Sequence, residues 1–450
     1  MVEPVDQELI RDAFLYVQPL VETRRQHGIH NARFGPDNAL TAFRRLLDDT
    51  VRTVPSPNSD TLYTVFGYTL ADGPLVVVFP EVERDRYYVL PFYDAFTNVY
   101  ASYGTRTGRF EPGPHLLVGP GYDGEAPDGM PVIQSPTERG AMLGRFLVYG
   151  PDDLPTIHAI QDSMSVTTLT DWKAGKRGIT YTETGDQPWP ERGSAVPDVK
   201  NDPAEFWRAV DEMMPGTPVP DRDRDHFDRF IPLGLTRDGF TEPTDPAVRD
   251  ALYQATLDGW QFLTDMGADQ SKAEALGVHF LHKNGWDWSA VGGDPDNTGV
   301  RDYGTDYILR AWVNLLYYGM LPPEEALYPT SFYDEQRVRM DGAAHSYSLT
   351  IDTSDLPNHS NGFWSVTMYD LDGYLVPNKQ DRFKLSSHSE LTPDQDGNIT
   401  ITVSHDEPAD KKVNWLPAPA TQFYLMFRAY LPVAAVVDGT YPFPIIRRSA

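Results

Sequence analysis

Tyr87-Tyr88-Val89-Leu90-Pro91-Phe92-Tyr93-Asp94 and Phe363-Trp364-Ser365-Val366-Thr367-Met368-Tyr369-Asp370 are two aromatic-led, strand-like runs that both end in Tyr-Asp. Each follows an apolar strand and a Pro-bearing connection, Leu75–Pro80 in the first case and Tyr347–Pro357 in the second. The repetition predicts two related sandwich-like β-modules, one in each half of the chain. Side chains two apart share a strand face, so Tyr88, Leu90 and Phe92 point the same way as Asp94, and Trp364, Val366 and Met368 the same way as Asp370. A carboxylate closing an apolar face is a candidate acid or base, because burial raises its pKa. The competing reading is an Asp that starts a turn by accepting from backbone N–H groups.

Around the first run, further strand patterns fall at Leu62–Leu70, Leu75–Phe79, His115–Val118 and Val132–Gln134. Around the second they fall at Ser346–Ile351, Ile399–Val403 and Phe423–Phe427, with Asp372-Gly373 and Asp396-Gly397 as turns. Helical periodicity marks Gln7–Val21 and Asn38–Leu47, then Asp152–Met164, Asp202–Met214, Asp245–Met266 and Tyr303–Tyr318. Trp172–Val199, rich in Gly, Pro, Thr and charge, reads as a long exposed loop. The expected fold class is mainly β with helical segments, α+β. An N-terminal helical segment spans 1–50, a β-domain 51–150, a mainly helical insert 151–330 and a second β-domain 331–450.

Composition narrows the function. Among 450 residues, 38 Lys and Arg stand against 65 Asp and Glu, a net charge of −27 that repels nucleic acid and anionic membranes. The charge is spread along the chain and suits a soluble globular protein. With no cysteine, disulfides, thiolate metal sites and cysteine nucleophiles are excluded. The acidic start Met1-Val2-Glu3-Pro4-Val5-Asp6 lacks the basic and apolar runs of a signal peptide, so the expected compartment is the cytoplasm.

Gly119-Pro120-Gly121-Tyr122-Asp123-Gly124 has the spacing of a dinucleotide fingerprint, but the Pro- and Gly-rich residues after it cannot open the helix that would hold a pyrophosphate. Phosphate-binding loop, Gly-x-Ser-x-Gly and His-Glu-x-x-His motifs are absent from the sequence. His279 and His282 could share a helix face, yet no third ligand lies at a matching spacing. No cofactor and no metal site is expected on these grounds, although a divalent metal is not excluded. The densest polar segment is Pro57-Asn58-Ser59-Asp60-Thr61-Leu62-Tyr63, which delivers Asn, Asp, Thr and Tyr to a strand entrance. Those groups suit a polar ligand, or equally the backbone of a domain junction.

Together with Arg86-Tyr87-Tyr88 through Asp94-Ala95-Phe96-Thr97-Asn98-Val99 and Gly104-Thr105-Arg106-Thr107-Gly108, that segment resembles the bacterial domain-of-unknown-function family 1254. Ser59 stands where the family pattern favours Asn. Tyr303-Gly304-x-Asp306-Tyr307-x-x-Arg310-Ala311, Phe363–Asp370, Leu375-Val376-Pro377-Asn378 and Asn414-Trp415-Leu416-Pro417-Ala418-Pro419 are similar to its usual companion, family 1214. The resemblance implies an immunoglobulin-like first β-domain, a helical middle region and a jelly-roll-like C-terminal domain. It implies no reaction.

The expected function is that of a cofactor-independent acid–base enzyme acting on a small polar or acidic metabolite, in a pocket where the two β-domains meet the helical region. Asp60 and Asp94 are the proton-transfer candidates. Arg106 and Arg145 are candidates for gripping an anionic group, Asn58, Tyr63 and Asn98 for positioning it, and Trp286, Trp364 and Trp415 for aromatic walls. The bland competitors are an Asp–Arg network that merely fixes the domains, Arg145 on a helix surface, and tryptophans in the core. The alternatives are a non-catalytic sugar or small-acid binding protein and a structural or assembly subunit; the partner is a small molecule, with a homo-oligomer possible.

Overall fold

The computed structural model describes residues 6–52, 56–108, 111–127, 129–184, 198–268, 270–294 and 296–449. Asp6 opens the first helix, Gln7–Arg33, by accepting from the backbone N–H groups of Glu8 and Leu9, both at 3.1 Å. Asp202 caps Pro203–Met213 and Asp306 caps Tyr307–Leu316 in the same way. These helices and Pro246–Ala268 bury one core around Phe14, Tyr16, Leu20, Trp207 and Trp260. The N-terminal helix therefore packs with the middle helices as one unit.

The first β-unit consists of two open sheets. Six strands run in the order Thr180–Glu183, Leu40–Phe43, Thr61–Thr69, Arg139–Leu147, Tyr88–Asp94, Val99–Gly104. Four more run Val132–Gln134, Gly113–Val118, Leu75–Phe79, Ser165–Thr168. Leu62, Phe66, Leu90, Phe92 and Phe146 of the larger sheet pack on Val77, Phe79, Leu117 and Val166 of the smaller, with Ile157 and Ile160 of helix Leu154–Ser163 beside them.

Asn38–Leu47, expected as a helix, instead supplies the strand Leu40–Phe43, which is buried and paired along both edges. Four apolar or small residues at this spacing satisfy both periodicities, and the sheet partners decide. Trp172–Val199, expected as a loop, contributes the parallel strand Thr180–Glu183; 185–197 lie outside the described residues.

The second β-unit also has two open sheets. Ser346–Ile351, Ile399–Ser404, Asn414–Pro417 and Arg447–Ser449 form the smaller, which faces a larger sheet centred on Asn358–Asp370 and Phe423–Pro432. Its core includes Trp286 and Trp288 from the strand Trp286–Trp288, so this unit draws on residues well before 331. The architecture is thus mixed α+β, with open sheets and no closed barrel among the described residues. No helix of the described residues is long and apolar enough to cross a membrane.

Candidate functional site

Strand alternation decides what meets between the β-units. In Phe423–Pro432, Phe423, Leu425, Phe427 and Ala429 enter the core of the second unit, which turns Tyr424, Met426, Arg428 and Tyr430 to the opposite face. Its neighbour Asn358–Asp370 sends Trp364, Val366 and Met368 inward and presents Phe363, Ser365, Thr367 and Tyr369 beside that row, with Ser365 opposite Arg428. In the first unit, Leu62, Phe66 and Phe146 enter the sandwich, leaving Tyr63 and Arg145 on the outer face directly opposite each other. The two outward faces meet: Tyr87, Val89 and Leu147 pack with Phe363 and Tyr430, whose rings stack at 4.2 Å.

Two guanidinium groups are held in this junction. Arg145, 8% exposed, donates to the carbonyls of Gly319 (3.1 Å) and Leu143 (3.3 Å) and lies over the Tyr63 ring at 5.5 Å. Arg428, 2% exposed, donates to Thr367 Oγ1 (2.8 Å), the Ser56 carbonyl (3.0 Å) and the Tyr369 hydroxyl (2.5 Å). Among the described residues neither has a carboxylate in ion-pairing contact. Among the described residues the Arg145 guanidinium is held by these two carbonyls and lies beside the Tyr93 hydroxyl, and that of Arg428 is held by three acceptors.

Tyrosines line the space. Burial raises the hydroxyl pKa of Tyr328 to about 12 even against the pull of Arg145 and Arg428, which both act on it. Tyr63, Tyr93 and Tyr430 are within electrostatic reach of Arg145, and Tyr369 and Tyr430 within that of Arg428. Tyr317 is 49% exposed, yet burial still raises its pKa. Gly319, two residues on, accepts from both Tyr93 (2.7 Å) and Arg145, which fixes this end of the junction.

The Asp60 carboxylate, fully buried, borders the same space. It is ion-paired with Lys384 and accepts from Ser365 Oγ at 2.7 Å, so both of its partners belong to the second β-unit. Asn58 Oδ1 accepts from the Asp60 N–H (2.6 Å), and Asn58 Nδ2 donates to the Tyr430 hydroxyl (2.5 Å).

The structure thus brings together Asn58, Asp60, Tyr63 and Arg145, and sets the other sequence candidates elsewhere. Arg145 lies on a buried strand and not on a helix surface, its surroundings being sheet on both sides. Asp94 accepts from the backbone N–H groups of Phe96 and Asn98 (both 2.9 Å) and from Asn98 Nδ2 (3.0 Å), a turn rather than a cleft wall. Burial, opposed by those bonds and by Arg310, raises its pKa to about 6. Arg106 is spent on Glu325 (2.8 Å), Asp294 (2.9 Å) and Asn297 (2.7 Å).

Trp286 and Trp364 lie in the second unit's core, and buried Trp415 donates Nε1 to the Ser404 carbonyl. His282 sits on a strand, bonded to Asp287 and Glu274, so it shares no helix face with His279. Among the described residues no three His, Asp or Glu side chains group as metal ligands. A cavity of about 320 Å³ beneath the helical unit, lined by Met214, Thr217, Arg224 and Arg237, lies away from this junction, and its two arginines are paired with Asp221 and Asp228.

Sequence reading missed Arg428, Tyr328, Tyr369, Tyr424, Tyr430, Lys384 and Ser365. The signal for Arg428 was present: it sits in Phe423-Tyr424-Leu425-Met426-Phe427-Arg428-Ala429-Tyr430, a run whose aromatic and apolar character continues on both sides of the charge. An arginine inside a strand buried on both faces needs a partner.

The chain is therefore a mixed α+β protein of two β-units and a helical unit, with two buried arginines among tyrosines where the β-units meet. Residues 38–168 match the family described as protein of unknown function DUF1254, and residues 325–434 match protein of unknown function DUF1214. The chain is similar along 99% of its length to the whole VPA0106 protein from Vibrio parahaemolyticus, known from a crystal structure, with 21% identity and a TM-score of 0.72. An uncharacterised protein from Burkholderia cenocepacia is more distant, at 13% identity and a TM-score of 0.42, over 97% of this chain and 88% of that one. No curated protein matches the chain.

Proposed function

We propose that the junction between the β-units, around Arg145 and Arg428, binds a small organic anion. The observation that carries this reading is the pair of buried, carboxylate-free guanidiniums, Arg145 and Arg428, each fastened by backbone or hydroxyl acceptors. Taking an ion out of water costs several kcal/mol, which an acid group bound beside it would offset. Planar, forked donors suit a carboxylate.

Asp60 and Lys384 at the same junction support acid–base chemistry on the bound molecule, in keeping with the expectation for Asp60. Asp94, its oxygens occupied by a turn, is the weaker candidate. An immunoglobulin-like first unit and a jelly-roll-like second one are supported by the face-to-face packing of two open sheets in each.

The test is a thermal-shift series with small carboxylic acids on the purified full chain. Acids should raise the melting temperature of the natural protein and leave Arg145→Met and Arg428→Met unmoved. Equal shifts in all three proteins would show that the acids bind elsewhere.

A further inference from the structure

We infer that an acid reaches Arg145 by displacing the Gly319 carbonyl, so that the connection Tyr317–Met320 is a strap that releases as the acid binds; this rests on the anion-binding reading above. Access supplies the first argument. Arg145 is 8% exposed, so a neighbour must move before an acid can touch it. Its neighbours in the first β-unit, Tyr63, Tyr93 and Leu143, stand on the strands Thr61–Thr69, Tyr88–Asp94 and Arg139–Leu147, each paired along both edges. Gly319 belongs to no sheet and lies in the connection between helix Tyr307–Leu316 and strand Ala326–Leu327. Of the two carbonyls that hold Arg145, it is therefore the one that can leave without breaking a ladder.

The exchange of acceptors supplies the second. A hydrogen bond from a guanidinium to a carboxylate is stronger than one to a neutral carbonyl, so an acid outcompetes Gly319 at the same N–H group. The carbonyl that it replaces carries no charge and can accept from water instead.

The local backbone supplies the third. Gly319 has a φ of 77°, a conformation that glycine enters and leaves freely. On its far side the Leu321 carbonyl accepts from buried Arg301 at 3.3 Å, and Pro322 and Pro323 stiffen the chain. The movement is thus confined to the residues next to the helix end, where Tyr317 is half exposed and no core has to open.

Hydrogen exchange of the full chain with and without saturating benzoate, beside calorimetric titration with the same acid, tests the inference. The Tyr317 and Met320 amides, which donate to the Val313 and Tyr317 carbonyls at 2.8 Å, should exchange at least about fivefold faster once benzoate is bound. Gly319→Ala should tighten benzoate binding by about five- to tenfold, because its methyl group meets the positive φ and Leu143 Cδ1 at 2.5 Å only while the strap is closed. If that variant does not fold, exchange in the natural protein decides. Bound benzoate with unchanged or slower exchange at both amides, or a folded Gly319→Ala that binds no more tightly, overturns the strap and leaves an anion site. No binding of benzoate to the natural protein overturns the anion-binding reading, and the strap with it.

Discussion

Two arginines expected to share one task have opposite fates. Arg106 is surrounded by its acceptors, Glu325, Asp294 and Asn297, and Glu325 in turn accepts from the Tyr87 hydroxyl at 2.7 Å. Arg106→Met strands the carboxylate of Glu325 in a buried site and should cost about 3–5 kcal/mol in urea unfolding. Arg145→Met strands no carboxylate, and Gly319 keeps its bond from Tyr93, so the same measurement should register a loss under about 1 kcal/mol while acid binding disappears. If the two variants lose stability equally, Arg145 is structural and the binding site is elsewhere. Asp94 offers a pH test at the same scale. Its folded pKa, about 6, lies above its ordinary value, so the folded state holds the proton more tightly. That contribution is complete below the unfolded pKa and is lost as the pH rises through 6, a change of about 3 kcal/mol. Asp94→Asn should remove this component: the stability of the natural protein relative to the variant should fall by about that amount between pH 4 and 7, read from paired urea titrations. A flat difference would mean that the fold does not raise the Asp94 pKa.

At the scale of elements, the Tyr-Asp echo is a loop device. Asp94 accepts from the N–H groups two and four residues on, and so do Asp370 (3.1 and 2.8 Å), Asp334 (2.9 and 3.0 Å) and Asp394 (2.9 and 2.8 Å). In each loop the residue three on has a positive φ: Thr97 at 63°, Gly373 at 87°, Arg337 at 60°, Gly397 at 87°. Gly397→Ala should therefore cost about 1–2 kcal/mol of unfolding free energy although no atom lies closer than 3.6 Å to the new methyl group; a neutral result would show that the loop relaxes. The repeated strands were legible because alternation of large side chains is a strong signal, and the capped helices because apolar residues recur at three- and four-residue steps. Arg139–Leu147 was not legible. Its Gly140 and Gly144 are strand positions at which a Cβ would meet the Tyr93 carbonyl at 2.2 Å and Leu90 Cδ2 at 2.4 Å, so the strand lacks the alternation of large side chains that marks the others. With that strand hidden, Arg145 could not be placed opposite Tyr63. Half of the junction was hidden for a related reason: the sequence reading stops the last long strand at Phe427, one residue short of the arginine that faces the first unit.

At the scale of the molecule, the proposed site exists only while both β-units are docked, and their buried polar groups are satisfied across the junction. Asp60 is held by Lys384 and Ser365, Asn58 by Tyr430, and the Pro57 carbonyl by the Tyr369 hydroxyl at 2.7 Å. Tyr87 packs its ring on Phe363 at 5.5 Å and Tyr430 at 5.2 Å. Parting the units would break the Asp60–Lys384 pair and the bonds across the junction and expose those rings to water. The units should accordingly lose structure together although each has its own core. In hydrogen exchange across a urea series, Arg139–Leu147 and Phe423–Pro432 should lose protection at the same midpoint, and a small organic acid bound between the arginines of the two strands should move both midpoints upward by the same amount. Lys384→Met removes one side of the Asp60 pair and should lower both midpoints in step. Separate midpoints in the natural protein, or a ligand that moves only one of them, would mean that the β-units are independent and that the anion is held by a single arginine.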